Sequence, residues 1–171
     1  KFQAWFYYYP SQLPLAHLGT FLADVLKNYE GDISQRPRVI VVAHSMGGLV
    51  ALSGLNELCD DSAPGYLKGY ISFVSPYGGV ESASWGRWAT APIPMWEDIA
   101  VDSDFLKRLA QGKATTRIPF YLFFGYKTGK SSDGDIILQS QLYHDIHFNA
   151  LKSYGFNTSH EGILRKEKNN E

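Results

Sequence analysis

The sequence predicts an α/β protein built on a mainly parallel sheet, and three observations carry that prediction. Hydrophobic strand patterns alternate with helical ones along most of the chain. Val39, Ile40, Val41 and Val42 are four β-branched residues in succession, the pattern of a strand buried on both faces. Polar candidates follow the strand patterns, at Ser45, Ser75, Asp133 and His160. Ligands of parallel sheets sit beyond the carboxyl ends of the strands, so one rim is expected to hold them all.

Each element follows from local pattern. Phe2 to Tyr9 reads as an aromatic strand ended by Pro10. Leu15, Leu18, Phe21, Leu22, Val25 and Leu26 recur at helical spacing within Leu13 to Tyr29. Gly31 to Pro37 is a turn into the Val39–Val42 strand, and an apolar helix runs from Gly48 to Leu58. Asp60 to Gly65 is a polar break. Gly69 to Ser75 is a strand stopped by Pro76-Tyr77-Gly78-Gly79. Val80 to Asp102 keeps no period and contains Trp85, Trp88 and Trp96, as expected of a partly helical excursion over the sheet edge. Trp85, Trp88, Ile93, Met95 and Trp96 could line an acyl pocket or form a lid; plain core packing is the competing reading. Ser103 to Leu109 is a short helix with Ser103 as N-cap. Ile118 to Tyr126 is a strand, Gly129 to Gly134 a loop, Ile136 to Tyr143 a further element, and Ala150 to Phe156 a last short strand. The tail Arg165 to Glu171 is charged.

Composition narrows the class. A chain of 171 residues with 44% hydrophobic content suits one domain with a sizeable core. A net charge of −1 leaves no electrostatic footprint for nucleic acid or an anionic membrane. No apolar run reaches the roughly 20 residues of a membrane helix. Cys59 is the single cysteine, which excludes an intrachain disulfide and reads as a buried structural thiol. The chain opens at Lys1 rather than Met, so the lack of a visible export signal leaves the compartment open.

The chemistry centres on Ser45. A serine on a tight strand-to-helix turn holds its hydroxyl above the sheet, and the N–H of Met46 is then free for an oxyanion. Ala43 and Gly47 flank it because bulk there would strike neighbouring backbone. A serine hydroxyl needs a base, and a histidine needs a carboxylate to fix its tautomer. Of five histidines, His44 adjoins the serine and should point away from it, and His17 reads as exposed on the first helix. His144 and His147, with Asp145, have the i,i+3 spacing of a metal grip. They lack a third ligand in any recognisable pattern and read as a solvated face, so no metal is expected. His160, after the last strand, remains. The acid is Asp133 or Asp135; Gly134 permits a sharp turn just after Asp133.

Taken together, these segments resemble the lipase- and esterase-like α/β-hydrolases. Ala43-His44-Ser45-Met46-Gly47-Gly48-Leu49-Val50 is similar to their nucleophile elbow, with Ala43 in place of the usual first glycine. The order serine, aspartate, histidine is theirs. Asp133-Gly134 followed by Leu138-Gln139-Ser140-Gln141-Leu142 resembles the acid loop of the triacylglycerol lipase and GPI-inositol-deacylase-like neighbourhood, and that register singles out Asp133. Asn157 to Leu164 resembles the histidine segment. The resemblance implies a three-layer α/β-hydrolase sandwich. It also implies carboxylic-ester hydrolysis without a cofactor, acting on a small-molecule or lipid ester. Ser45 would attack, His160 would move the proton, Asp133 would orient His160, and an acyl-enzyme would form. Acyl transfer with the same three residues is an alternative, and so is a non-catalytic binding protein on this fold. Asn157-Thr158-Ser159 matches a glycosylation pattern but lies beside His160, where a glycan would obstruct the site; it reads as a chance match.

The resemblance also leaves a gap. The family's second oxyanion N–H comes from a loop after a central strand, and nothing before Ser45 fits that loop. The expectation is that the polypeptide continues upstream of Lys1. A foreign strand or a gap should then separate Phe2–Tyr9 from Val39–Val42, and direct pairing of the two would refute the idea.

Overall fold

The computed structural model describes residues 2–28, 38–82 and 93–165. Helix α1 is Leu15–Lys27, strand β1 Val39–His44, helix α2 Met46–Leu58 and strand β2 Leu67–Phe73. Three short helices follow: α3 Pro94–Asp98, α4 Asp104–Ala110 and α5 Ala114–Arg117. Strand β3 is Phe120–Tyr126, α6 Leu138–Gln141, α7 His144–His147 and β4 Lys152–Asn157, before a 3-10 turn at Gly162–Leu164. The four strands form one sheet in the order β1-β2-β3-β4, every pair parallel. The predicted parallel α/β architecture with flanking helices is thus observed.

Helix positions follow from burial. Leu15, Leu18, Leu22 and Leu26 form the inner stripe of α1 and pack against Leu49, Leu52 and Leu55 of α2. The helices cross closely at two glycines: a Cβ on Gly54 would lie 2.6 Å from the Gly19 carbonyl oxygen. Ser103 caps α4 as expected, its Oγ accepting from the Leu106 N–H at 3.2 Å. Cys59 is buried and free.

Two strand expectations need correction. Residues 2–9 are not a strand. The alternation is real, with Phe6 and Tyr8 outward and Tyr7 and Tyr9 against the core, but the segment joins no sheet among the described residues. It is held by side chains instead: the Tyr7 hydroxyl donates to the Leu18 carbonyl at 2.9 Å, and the Tyr7 and Tyr9 rings lie 5.4 Å apart. Nor is Val39–Val42 buried on both faces. Ile40 is 48% and Val42 62% exposed: the helices pack on the opposite face, where Val39, Val41 and Ala43 meet the core, and β1 is an edge strand among the described residues. Segment 2–9 and β1 do not pair, and no strand lies between them among the described residues.

The two sheet faces differ. Tyr70, Ser72, Phe120 and Leu122 are fully buried beneath the helices. The reverse face carries Ile71, Phe73, Tyr121 and Phe123, half-buried, with exposed Tyr154 and Phe156 stacking on Phe123. The expected turn at 31–37, most of the tail, and Trp85 and Trp88 lie outside the described residues.

Candidate active site

The carboxyl ends of β1, β3 and β4 bring three side chains together. Ser45 joins β1 to α2 with φ 54° and ψ −134°, a left-handed conformation uncommon for a non-glycine residue. Its N–H donates to the Phe73 carbonyl at 2.9 Å, and its own carbonyl accepts from Gly48 N–H at 2.9 Å. The chain is thereby held on both sides of the kink, and Ser45 Oγ projects beyond the strand. Met46 opens α2, so its N–H is one of those a helix leaves without an intrahelical acceptor.

His160 lies in the loop after β4. Its Nε2 is 2.8 Å from Ser45 Oγ, and its Nδ1 is 2.7 Å from Asp133 Oδ2. Asp133 is fully buried, and its Oδ1 accepts from the N–H groups of Asp135 (2.9 Å) and Ile136 (2.8 Å). Burial pushes the Asp133 carboxyl up. The hydrogen bonds from His160, Ile136 and Asp135 outweigh it and hold the group below the ordinary carboxylate value. The bond to Asp133 raises the His160 imidazole above the ordinary histidine value, against the opposing effect of burial. Of the two aspartates, Asp133 faces His160 and Asp135 is exposed.

The floor beneath the serine is a buried hydroxyl cluster. Tyr70 donates to the Gly48 carbonyl at 2.8 Å, and its oxygen lies 2.7 Å from that of Tyr77. Tyr77 donates to Ser72 at 2.7 Å, and Ser72 to Ser75 at 2.8 Å. Burial raises both phenols, Tyr77 to about 12, so both keep their protons at neutral pH. Ser75 therefore belongs to the support rather than to the open rim. A Cβ on Gly48 would stand 1.9 Å from Ser75 Oγ, so only glycine fits at this third position of α2.

Other residues took their place only through tertiary contact. Gln141, fully buried, accepts from Gly125 N–H (2.9 Å) and donates to the carbonyls of Gly125 (3.1 Å) and Ile136 (2.9 Å), tying the acid loop to the end of β3. No spacing rule marks a glutamine for this; only its place in the acid-loop segment hinted at it. Val74, a buried β-branched residue at φ 43°, closes β2, a strain of about 1–3 kcal/mol next to the site. The Tyr9 hydroxyl lies 3.6 Å from where a Gly47 Cβ would be. His44 turns from Ser45, as expected, and its Nε2 meets the His160 carbonyl oxygen at 2.9 Å. Met95 and Trp96 pack against the core, while Ile93 is exposed. Asp98 in α3 accepts from Leu15 N–H at 2.7 Å and anchors that helix to the start of α1. His17 and His144 are exposed, and His144 Nδ1 lies 3.1 Å from Asp145 Oδ1. Among the described residues no helix is long and apolar enough to cross a membrane.

Residues 9–143 match the family model described as the alpha/beta hydrolase family. No curated protein matches the sequence. Among solved structures the fold is similar to phospholipase PlaB from Legionella pneumophila, at 14% identity over 81% of this chain and 34% of that one, with a TM-score of 0.62. It is also similar to the mature lipase BlEst2 of Bacillus licheniformis, at 17% identity over 88% of this chain and 69% of that one, with a TM-score of 0.65. A metagenomic carboxyl esterase gives 14% identity over 87% and 52%, with a TM-score of 0.63. At these identities the likeness is one of fold, and the chain spans about a third of the phospholipase's length.

Proposed function

Because this chain belongs to the alpha/beta hydrolase family, we propose that it is a serine hydrolase of carboxylic esters. The observation that carries the reading is the hydrogen-bonded line from Ser45 Oγ through His160 to Asp133, with spacings of 2.8 and 2.7 Å. In this reading Ser45 Oγ attacks the ester carbonyl carbon as its proton passes to His160 Nε2. The N–H of Met46 holds the oxyanion that develops. His160 returns the proton to the leaving alcohol, an acyl-Ser45 remains, and water repeats the sequence in reverse. Asp133 keeps Nδ1 protonated, so that Nε2 is the free base, and stabilises the imidazolium. The similar structures are a phospholipase, a lipase and a carboxyl esterase, which favours an ester of a lipid or a small acyl group as substrate.

Acyl transfer would use the same atoms with an alcohol in place of water, and the two are separated by adding an acceptor alcohol to the assay. The decisive experiment is covalent labelling with a fluorophosphonate, together with turnover of p-nitrophenyl esters. Labelling should map to Ser45, and Ser45→Ala should abolish both signals while leaving the circular dichroism spectrum unchanged. A folded Ser45→Ala protein with undiminished turnover would overturn the proposal. A protein that neither labels nor turns over any ester in a chain-length series would favour a binding role.

A further inference from the structure

His44 is the last residue of β1, next to the serine, yet its ring reaches the histidine loop rather than the serine itself. Its Nε2 lies 2.9 Å from the backbone carbonyl oxygen of His160, and the two imidazole rings are 4.8 Å apart and inclined at 49°. A carbonyl oxygen cannot donate, so His44 Nε2 must carry the proton and the bare nitrogen of the neutral ring is Nδ1. The bond joins residues 116 positions apart in the chain. The loop's other backbone ties are local or to β3: Gly162 N–H to Ser159 Oγ at 3.1 Å, and Thr158 N–H to the Tyr126 carbonyl at 2.9 Å. Neither fixes the loop relative to the strand that presents Ser45.

We propose that His44 is a positioning residue: its Nε2–H pins the main chain of His160 to the strand bearing Ser45 and so sets the Ser45–His160 distance. The inference rests on the reading of His160 as the base. The Asp133 bond fixes the far side of the His160 ring, but a ring held at one nitrogen can still swing with its backbone. Pinning the carbonyl removes that freedom at the residue itself, and a misplacement of about 1 Å at a reacting pair can cost on the order of 100-fold in rate. A neutral partner is also what a base needs nearby, since His160 becomes an imidazolium during turnover and a second cation 4.8 Å away would oppose it. Burial holds the His44 imidazole below the ordinary histidine value. The hydrogen bond to the His160 carbonyl opposes that, the His160 charge adds to it, and the carboxylates of Asp133 and Glu161 pull the other way.

The test compares two replacements in the intact protein. His44→Leu removes the donor; His44→Gln keeps an N–H donor at nearly the reach of Nε2 but cannot titrate. His44→Leu should lower kcat for p-nitrophenyl butyrate and the fluorophosphonate labelling rate by roughly 10- to 100-fold, with KM within about 2-fold. His44→Gln should restore most of the loss. A folded His44→Leu protein with wild-type kcat, or a folded His44→Gln protein as slow as His44→Leu, overturns the proposal. Should His44→Leu fail to fold, nitrogen-15 NMR of the unaltered protein still decides: His44 must be the Nε2–H tautomer at neutral pH, and the Nδ1–H form would refute the bond. Ser45→Ala and His160→Ala are the controls. If either keeps full turnover, the reading of the base fails, and this proposal with it. If both are dead while His44→Leu is unimpaired, only the role of His44 is lost.

Discussion

Asp133 is a buried carboxylate whose neighbours are donors: two backbone N–H groups on one oxygen and an imidazole on the other. This environment makes opposite demands on stability and on activity. Its lowered folded value means that Asp133 stabilises the fold above about pH 4 and loses that contribution as pH falls through the depressed folded value. The raised value of His160 works in the other sense. That contribution is complete below about pH 6.5 and is lost as pH rises through the raised folded value. The proposed chemistry needs His160 neutral. The acid limb of kcat/KM should therefore have its midpoint above pH 6.5, in the range where the pair's contribution to stability is declining. Asp133→Asn should move that midpoint to lower pH and cut kcat by about 1,000- to 10,000-fold. Asp135→Asn, at an exposed carboxylate, should leave kcat within about 3-fold. A pH–rate series on both variants checks this, and equal losses in the two would refute the assignment of the acid.

At the scale of elements, the turn between β1 and α2 depends on how closely α2 approaches the end of β2. Gly48 sits against Ser75 with no room for a methyl group, and its carbonyl is held by Tyr70. Gly48→Ala should lower stability by about 1–3 kcal/mol through overpacking and slow the labelling of Ser45. Ser75→Gly in the same chain vacates the space and should recover part of both losses. Thermal melts of the single and double variants test this; a Gly48→Ala protein that melts like wild type would show that α2 can shift without cost. The described end of the segment after Val80 is tied down in a comparable way, by the bond from Leu15 N–H of α1 to Asp98 and by the Val80–Ala100 bridge.

Across the whole molecule the sheet has a dry face and an open one. Leu122 is fully buried, so Leu122→Ala should cost about 2–5 kcal/mol. Val42, in the same sheet but 62% exposed, should tolerate Thr within about 0.5 kcal/mol. Urea unfolding of the two variants measures the contrast, and a comparable loss at both positions would mean that the reverse face is covered in solution. The exposed row of Ile40, Val42, Tyr154 and Phe156 is also where the β-branched pattern of β1 misled: composition reports how apolar a strand is, not how many of its faces are covered.

The sequence by itself determined the chain order of the four strands and of α1, α2 and α4, the Ser45 turn, the Ser103 cap and the inner stripe of α1. Each depends on contacts within a few residues, where side-chain period and backbone preference act directly. It also marked Ser45, Asp133 and His160 as candidates, since chemistry confines such roles to a few residue types after strand ends. Tertiary structure alone decided that residues 2–9 are not a strand, because pairing requires an edge that no local pattern reveals. It decided which aspartate meets His160, and it recruited Gln141 and Tyr70 as supports for the loop after β3 and for the Ser45 turn. It also turned His44, adjacent to Ser45 in sequence, toward a carbonyl 116 residues away. These are consequences of parallel strands ending at one rim: residues far apart in the chain meet there, and sequence spacing carries no record of the distances between them.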